Sequence, residues 1–206
     1  MWPNNKNFAF TIFDDTDNST IGNTKVVYDY LIEKGLLTSK SVWVWKPRGG
    51  FKGDTLSDEG YLKWVNDLKE QGVEICLHNI GDGLFSRNEI EKGLEKFEID
   101  IGYPPLIHCN HSGNKDSLYW WSNRFEFPFS LIYKALFFLK RKQMHPRGGE
   151  HPESEYFWGD IAKEKIKYVR NFTFDDVNTI KIDPMMPYHD GGYSKGKNKI
   201  CKKLYF

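Results

Sequence analysis

The stretch Ser57–His78, SDEGYLKWVNDLKEQGVEICLH, predicts an amphipathic helix that leads directly into a buried strand. Its apolar residues recur at the helical spacing i, i+3, i+4 and i+7, namely at Tyr61, Trp64, Val65 and Leu68. Gly72 predicts the end of the helix. The segment that follows, Val73–His78, is short and largely apolar, and it therefore predicts a strand.

The same alternation of strand and helix extends in both directions along the chain. The predicted strands are Phe8–Phe13, Ser41–Trp45, Val73–His78 and Pro105–Cys109, so strand starts recur about every 32 residues. A helix is predicted over residues 20–35, and a capping box of Ser86 and Glu89 opens another. The inward residues of these two helices are predicted to be Val27, Leu31, Ile90, Leu94 and Phe97. This spacing is typical of βαβ units, so we predict an α/β domain with a parallel sheet.

After about residue 112 the alternation loosens. Residues 114–158 are predicted to form an irregular, aromatic-rich insertion, with a helix near 129–141 and a loop at 144–153. Asp160 is expected to cap a further helix, and strands are expected near 171–174 and 179–182. The whole chain, residues 1–206, is interpreted as one domain. Its apolar ending, residues 204–206, predicts either a last strand or a truncated reading frame, which would leave the fold incomplete at the C-terminus.

The composition argues against several classes of protein. Hydrophobic residues make up 39% of the 206 and aromatic residues 16%, which is typical of a globular protein. The 29 basic and 28 acidic residues nearly cancel, so no overall charge favours nucleic acid or a membrane surface. The longest apolar run is shorter than the roughly 20 residues of a membrane-spanning helix. Three widely spaced cysteines and the lack of a secretory signal predict a cytoplasmic protein.

Acidic, imidazole and amide groups follow three of the four predicted strands. They are Asp14, Asp15, His78, Asp82, Asn110 and His111. Because the carboxyl ends of parallel strands meet at one edge of a sheet, we expect these side chains to lie together. Several buried carboxylates need a cation, and aspartate and histidine are suitable ligands for zinc and similar divalent ions. We therefore predict a metal site in which one of two adjacent acids binds the ion and its neighbour remains a base.

Each of these residues also has a purely structural explanation. The two adjacent aspartates at 14 and 15 could cap the next helix. His78 could be a hydrogen-bonded histidine of the core, and Asp82 lies between two glycines, as a turn residue would. His111 follows its predicted strand and lies next to Ser112 and Gly113, in a predicted loop. This position argues against a role in packing the core. Their joint position favours the functional interpretation.

Two of these segments resemble a known family. Phe10-Thr-Ile-Phe-Asp-Asp15 resembles the Thr-Phe-Asp-Asp motif of polysaccharide deacetylases of the NodB-homology type. Glu74-Ile-Cys-Leu-His-Asn79 resembles their Glu-Ile-Gly-x-His-(Ser/Thr) strand. The resemblance covers roughly residues 7–113 and implies a distorted (β/α) barrel that hydrolyses acetyl groups on sugars. It also implies that Asp14 is the general base and that Asp15 and His78 bind the metal.

The chain departs from that family at three points. The family's second histidine, four residues after the first, is here Asp82, which we interpret as a replacement ligand. Asn110 to Gly113 stand where the family has an Arg-x-x-Tyr segment. In the family, a histidine late in the sequence acts as the general acid, and here its only counterpart, a weak one, is His189. Beside Asp14, we therefore take His111 as the second candidate catalytic residue. The candidate substrate-binding residues are Asn110, Trp120 and Trp121.

Two other functions stay open. Asp15 and Asp17 also resemble the Asp-x-Asp motif of haloacid-dehalogenase-type phosphatases, in which the first would be the nucleophile and the second the acid and base. Asp82 in place of histidine would also fit a deacetylase relative that has lost its activity. In the leading interpretation the partner is a carbohydrate or another small molecule, and the oligomeric state is left open.

Overall fold

The computed structural model describes residues 12–111, 113–118, 128–140 and 148–170. Helices and strands follow in the order α1 (Ile21–Glu33), β1 (Ser39–Val42), α2 (Glu59–Glu70), β2 (Glu74–His78), α3 (Arg87–Ile101), β3 (Ile107–Cys109), α4 (Phe129–Lys140), α5 (Gly159–Lys165) and β4 (Tyr168–Arg170). The four strands form one sheet in the order β1-β2-β3-β4, and every neighbouring pair is parallel. The predicted parallel α/β architecture is confirmed.

The carboxyl end of the first predicted strand pairs with β1 of this sheet. Phe13 forms a parallel bridge with Ser39, whose backbone N–H donates to the carbonyl oxygen of Ile12 at 3.1 Å. The Asp14 backbone N–H donates to Ser39 at 3.0 Å. The rest of this prediction, residues 8–11, lies outside the described residues. The acids that follow Phe13 therefore reach the same edge of the sheet as the ends of β1 to β3.

Helices α2 and α3 cover the sheet as their apolar spacing predicts. All seven predicted inward residues of these two helices are buried, namely Tyr61, Trp64, Val65, Leu68, Ile90, Leu94 and Phe97. The predicted capping box also forms, since the Ser86 backbone N–H donates to Glu89 Oε2 at 2.9 Å. The amphipathic faces of these two helices join the residues of β2 in the same hydrophobic core.

Helix α1 presents a different face from the predicted one. Val27 is 52% exposed, whereas its neighbour Tyr28 is buried. The Tyr28 ring packs edge-on against Trp64 of α2, with ring centroids 5.7 Å apart. Helix α1 has few apolar residues at helical spacing. The large aromatic side chain of Tyr28, and not Val27, therefore determines which face of the helix packs inward.

The second half of the described chain differs in detail from the predictions. Helix α4 matches the predicted helix at 129–141 to within a residue. Trp158, and not Asp160, caps α5; Asp160 lies in the first turn and pairs with Arg87 at 2.7 Å. Strand β4 extends to Arg170, the last described residue, and the strands predicted at 171–174 and 179–182 lie outside the described part. No helix in the described ranges is both long enough and apolar enough to cross a bilayer.

Candidate metal centre

Three side chains with metal-binding groups converge at the carboxyl edge of the sheet: Asp17, His78 and His111. His78 Nε2 lies 3.2 Å from His111 Nδ1. Asp17 Oδ1 lies 3.3 Å from the first of these nitrogens and 3.1 Å from the second. Both imidazoles are buried, and the Asp17 side chain is 26% exposed. One aspartate and two histidines in this arrangement could hold a metal ion.

Three separate connections bring these side chains together. Asp17 lies in the turn that precedes α1, where Asn18 adopts a left-handed backbone with φ of 59°. His78 is the last residue of β2, and His111 follows the end of β3 by two residues. Since His78 is in register with Cys109 at the end of β3, the two imidazoles arrive side by side. The parallel register therefore creates the histidine pair.

Side chains from the loops after β2 and β3 hold the backbone of His111. The His111 backbone N–H donates to Asn79 Oδ1 at 2.7 Å, and the carbonyl oxygen of His111 accepts from Ser117 Oγ at 3.0 Å. Asn79 has a φ of 43°, and its amide donates to Asp116 Oδ2 at 2.8 Å. Because all four residues are buried, this network fixes the position from which the His111 ring projects.

Two aromatic rings pack against the histidine pair. Trp43 stacks on His78 with centroids 6.2 Å apart and meets His111 edge-on at 6.0 Å. Phe51 contacts the other side of His111, edge-on at 5.0 Å. These contacts restrict rotation of both imidazoles and keep water away from their apolar faces.

The charges at this site depend strongly on one another. Burial alone raises the pKa of Asp17, but the facing imidazoles of His111 and His78 outweigh it, so its pKa lies well below the usual range. Burial alone lowers the pKa of His78, but Asp17, Cys109 and Asp15 outweigh it and raise the pKa to about 9. The anionic surroundings therefore favour a positive charge at the position where the three side chains meet.

Asp15 lies at the rim of the same site. Its Oδ1 is 3.3 Å from His78 Nε2, and its Oδ2 is 3.5 Å from a guanidinium nitrogen of Arg170 at the end of β4. The Asp15 side chain is 40% exposed, more than that of Asp17. Asp15 is therefore a carboxylate next to the histidines that solvent can reach.

The predicted base, Asp14, pairs with Lys40 of β1 and not with the histidines. Successive residues of an extended segment point to opposite sides, so Asp14 and Asp15 diverge. Lys40 is completely buried, and its ammonium also lies 5.9 Å and 6.0 Å from the ring centroids of Tyr28 and Tyr61. Burial lowers the pKa of Lys40, but Tyr61 and Asp14 outweigh it and raise the pKa, so this lysine stays charged.

Replacement of Lys40 by methionine is expected to lower the free energy of unfolding by about 3 kcal/mol, because Asp14 loses its buried counter-ion. Urea denaturation measures this change. Lys25→Met is the matched control, since Lys25 forms an exposed pair with Asp29 at 2.6 Å and should change stability by under about 1 kcal/mol. Equal losses in the two variants would contradict a structural role for the buried pair.

The predicted ligand Asp82 lies on the outer side of His111. Its Oδ1 is 3.1 Å from His111 Nε2, the ring nitrogen opposite the one that faces Asp17. Asp82 is not among the three converging side chains. The second imidazole of the site comes instead from the loop after β3, as His111. Asp82 therefore contacts a candidate ligand, and its predicted role as a ligand stays a prediction.

The other predicted site residues fall elsewhere. The side chain of Asn110 bonds to the backbone of Leu118 in both directions, at 2.6 Å and 2.8 Å, which gives it a structural role. Trp120, Trp121 and His189 lie outside the described residues. The substrate-binding prediction for the two tryptophans and the acid prediction for the late histidine therefore stay predictions.

The sequence did not indicate Asp17 as a candidate metal-binding residue. The available signal was the Asp-x-Asp spacing of residues 15 and 17, which we interpreted only as a phosphatase motif. For His111 the signal was its position past a strand end, which suggested a catalytic residue without a ligand role. Comparisons with protein family models, curated proteins and solved structures find no match to this chain, so its function rests on the geometry of the site.

Proposed function

We propose that this chain is a metal-dependent hydrolase that removes acyl groups, acetyl above all, from a carbohydrate or a sugar-containing precursor. The observation that carries the proposal is the convergence of Asp17, His78 and His111 at the carboxyl ends of parallel strands. The resemblance of residues 10–15 and 74–79 to polysaccharide deacetylases supports the substrate class. With that family in mind, we also propose that the parallel sheet continues into a distorted (β/α) barrel.

The donor set suits zinc. Donor atoms about 2.1 Å from a tetrahedral ion lie about 3.4 Å apart, close to the 3.1 to 3.3 Å observed between the three atoms. Asp17 Oδ1 is buried, and no donor among the described residues is aligned with it, as expected for an atom reserved for a cation. Three protein ligands leave a position open for water or substrate, as in catalytic zinc sites.

In this proposal Asp15 replaces Asp14 as the general base. A bound zinc ion would supply a Lewis acid for the acyl carbonyl and for the attacking water. Asp15 would accept the proton of that water, since it is exposed, lies beside His78 and is not one of the three ligands. Arg170 would hold its carboxylate in place. The group that protonates the leaving amine or alcohol is not assigned.

Two imidazoles weigh against the phosphatase alternative. Magnesium, on which that chemistry depends, prefers oxygen ligands, whereas His78 and His111 place nitrogen atoms at the centre of the site. His111 also supplies the second imidazole whose loss had suggested an inactive relative. We therefore do not propose either alternative.

The proposal is tested by measuring zinc content and acetate release on the purified protein. We expect close to one zinc ion per chain and acetate release from N-acetylated or O-acetylated sugar oligomers, lost on treatment with a chelator and restored by zinc. The choice between the two substrates decides whether the bond is an amide or an ester. A protein that binds no transition metal but releases phosphate from an aryl phosphate would overturn the proposal.

Zinc affinity is expected to fall by roughly 50-fold between pH 9 and pH 7, because His78, with a pKa of about 9, must lose its proton to bind the metal. The stability of the metal-free protein changes with pH in the opposite direction to the zinc affinity. The raised pKa of His78 stabilises the fold below about pH 6.5, and this stabilisation is lost as the pH rises through 9. Competition with a chromophoric chelator at each pH measures the affinity. An affinity that does not change over this range would contradict His78 as a ligand.

A further inference from the structure

A loop formed by residues 46–51 closes around Asp82. The backbone N–H groups of Arg48 and Gly49 donate to the carbonyl oxygen of Asp82 at 2.7 Å and 3.2 Å. The backbone N–H of Phe51 donates to its carboxylate oxygen Oδ2 at 2.8 Å. One short loop therefore holds both the main chain and the side chain of this aspartate.

The carboxylate of Asp82 has little freedom to move. A Cβ atom at position 49 would overlap it, so the loop can approach this closely only because residue 49 is glycine. The side-chain amide of Asn114 holds the residues on both sides of Asp82. It accepts from the Gly83 backbone N–H and donates to the carbonyl oxygen of Gly81, both at 2.8 Å. Asp82 is only 4% exposed, and its other carboxylate oxygen, Oδ1, lies 3.1 Å from His111 Nε2.

The two ring nitrogens of His111 have different surroundings. Nδ1 faces His78 and Asp17, whereas Nε2 faces Asp82. A neutral imidazole carries one proton, and an ionised carboxylate can only accept a hydrogen bond. Each nitrogen therefore lies 3.1 Å from a carboxylate oxygen, and the proposed metal site distinguishes them. A metal ion between Asp17 and His78 needs the lone pair of Nδ1, so the single proton belongs on Nε2, next to Asp82.

We propose that Asp82, held by the loop of residues 46–51, is a positioning residue that keeps the proton of His111 on Nε2 and so presents Nδ1 to the metal. The inference rests on the proposed metal site at Asp17, His78 and His111. It gives a function to the aspartate that stands where the resembling family has a second histidine. It also connects residues 46–51, on the loop after β1, to the metal site through one aspartate.

The test compares zinc affinity in Asp82→Asn with the wild type. Asp82 Oδ2 accepts from the Phe51 backbone N–H, and in this proposal Oδ1, 3.1 Å from His111 Nε2, accepts the imidazole proton. Asparagine offers only one acceptor, so one of these two donors would lose its partner. We expect zinc affinity to fall by about 10- to 100-fold, the usual loss when a partner of a ligating histidine is removed. Asp67→Asn, at an exposed position of α2, is the matched control and should leave the affinity unchanged.

A second variant and a spectroscopic readout separate positioning from general damage to the fold. Gly49→Ala displaces the Asp82 carboxylate without altering it and is expected to weaken zinc binding in the same direction. Nitrogen-15 spectra of the zinc-loaded wild type should show His111 bound through Nδ1 with a protonated Nε2. If a variant only destabilises the fold, its folded molecules should still show His111 bound through Nδ1 with a protonated Nε2. The proposal instead predicts that Asp82→Asn and Gly49→Ala lose these signals or show a mixture of Nδ1-bound and Nε2-bound His111.

The outcomes distinguish this inference from the proposed function. If the wild type binds no zinc, the proposed metal site fails and the inference fails with it. If the wild type binds zinc through Nδ1 but Asp82→Asn and Gly49→Ala bind it equally tightly, only the inference is overturned. If His111 binds zinc through Nε2 in the wild type, the inference is overturned as well, and Asp82 would be the residue displaced.

Discussion

Replacement of His111 by alanine is expected to abolish zinc retention and acyl hydrolysis together. The imidazole supplies one of three donor atoms that lie 3.1 to 3.3 Å apart, and an aspartate and one histidine alone rarely retain zinc. Loss of an outer partner already costs about 10- to 100-fold in affinity, so loss of the ligand itself should cost more than about 100-fold. Zinc content after dialysis and acetate release measure the two effects.

The matched control for this variant is His151→Ala. His151 lies in the loop before α5, where its ring contacts Glu150 at 3.3 Å, and it takes no part in the converging group. It should keep full zinc content and full activity. A His111→Ala protein that is folded, retains one zinc ion per chain and hydrolyses its substrate at the wild-type rate would contradict the proposed metal site.

Replacement of Asp15 by asparagine is expected to lower the turnover number by about 10²- to 10⁴-fold, the usual contribution of a general base. Zinc content should remain unchanged, because the three donor atoms of the site belong to other residues. The side chain keeps its size, so the ring of His78 should keep its position. Steady-state rates with the zinc content of each preparation measure the change.

The outcome of Asp15→Asn also decides between two assignments of the aspartates. If the variant loses zinc, Asp15 is a ligand, as the resemblance to deacetylases implies, and the proposed role of Asp17 is wrong. Asp29→Asn, on the exposed face of α1, is the control and should alter neither quantity. Asp14→Asn is expected to change stability more than turnover, because that carboxylate is paired with buried Lys40.

The architecture was accessible from the sequence because its signals are local. Helices α2 and α3 follow apolar spacings within 12 to 15 residues, and both bury the predicted side chains. The buried face of helix α1 was harder to predict, because its few apolar residues fit more than one face. Contact with Trp64 places Tyr28 on the buried face. The boundaries of β1 were also shifted, since a lysine at position 40 does not suggest a buried strand until its partners are known.

For the candidate site, the sequence predicted the strand ends at which aspartates and histidines gather, but not which of their atoms lie together. Asp15, His78, Asp82 and His111 all lie at or beside the centre, as expected for the carboxyl edge of a parallel sheet. Their roles depend on distances between residues that lie about 30 or more positions apart. The direction of each carboxylate depends on the pleat and on a turn at Asn18, which no spacing rule specifies.

Local apolar spacing was enough to predict a parallel α/β architecture with aspartates and histidines at the strand ends. The folded chain brings Asp17 to the two imidazoles, pairs Lys40 with Asp14 and places Asp82 beside the far nitrogen of His111. These contacts depend on strand register and on burial, which shift a carboxylate by a few ångströms, and sequence patterns do not specify distances of that size.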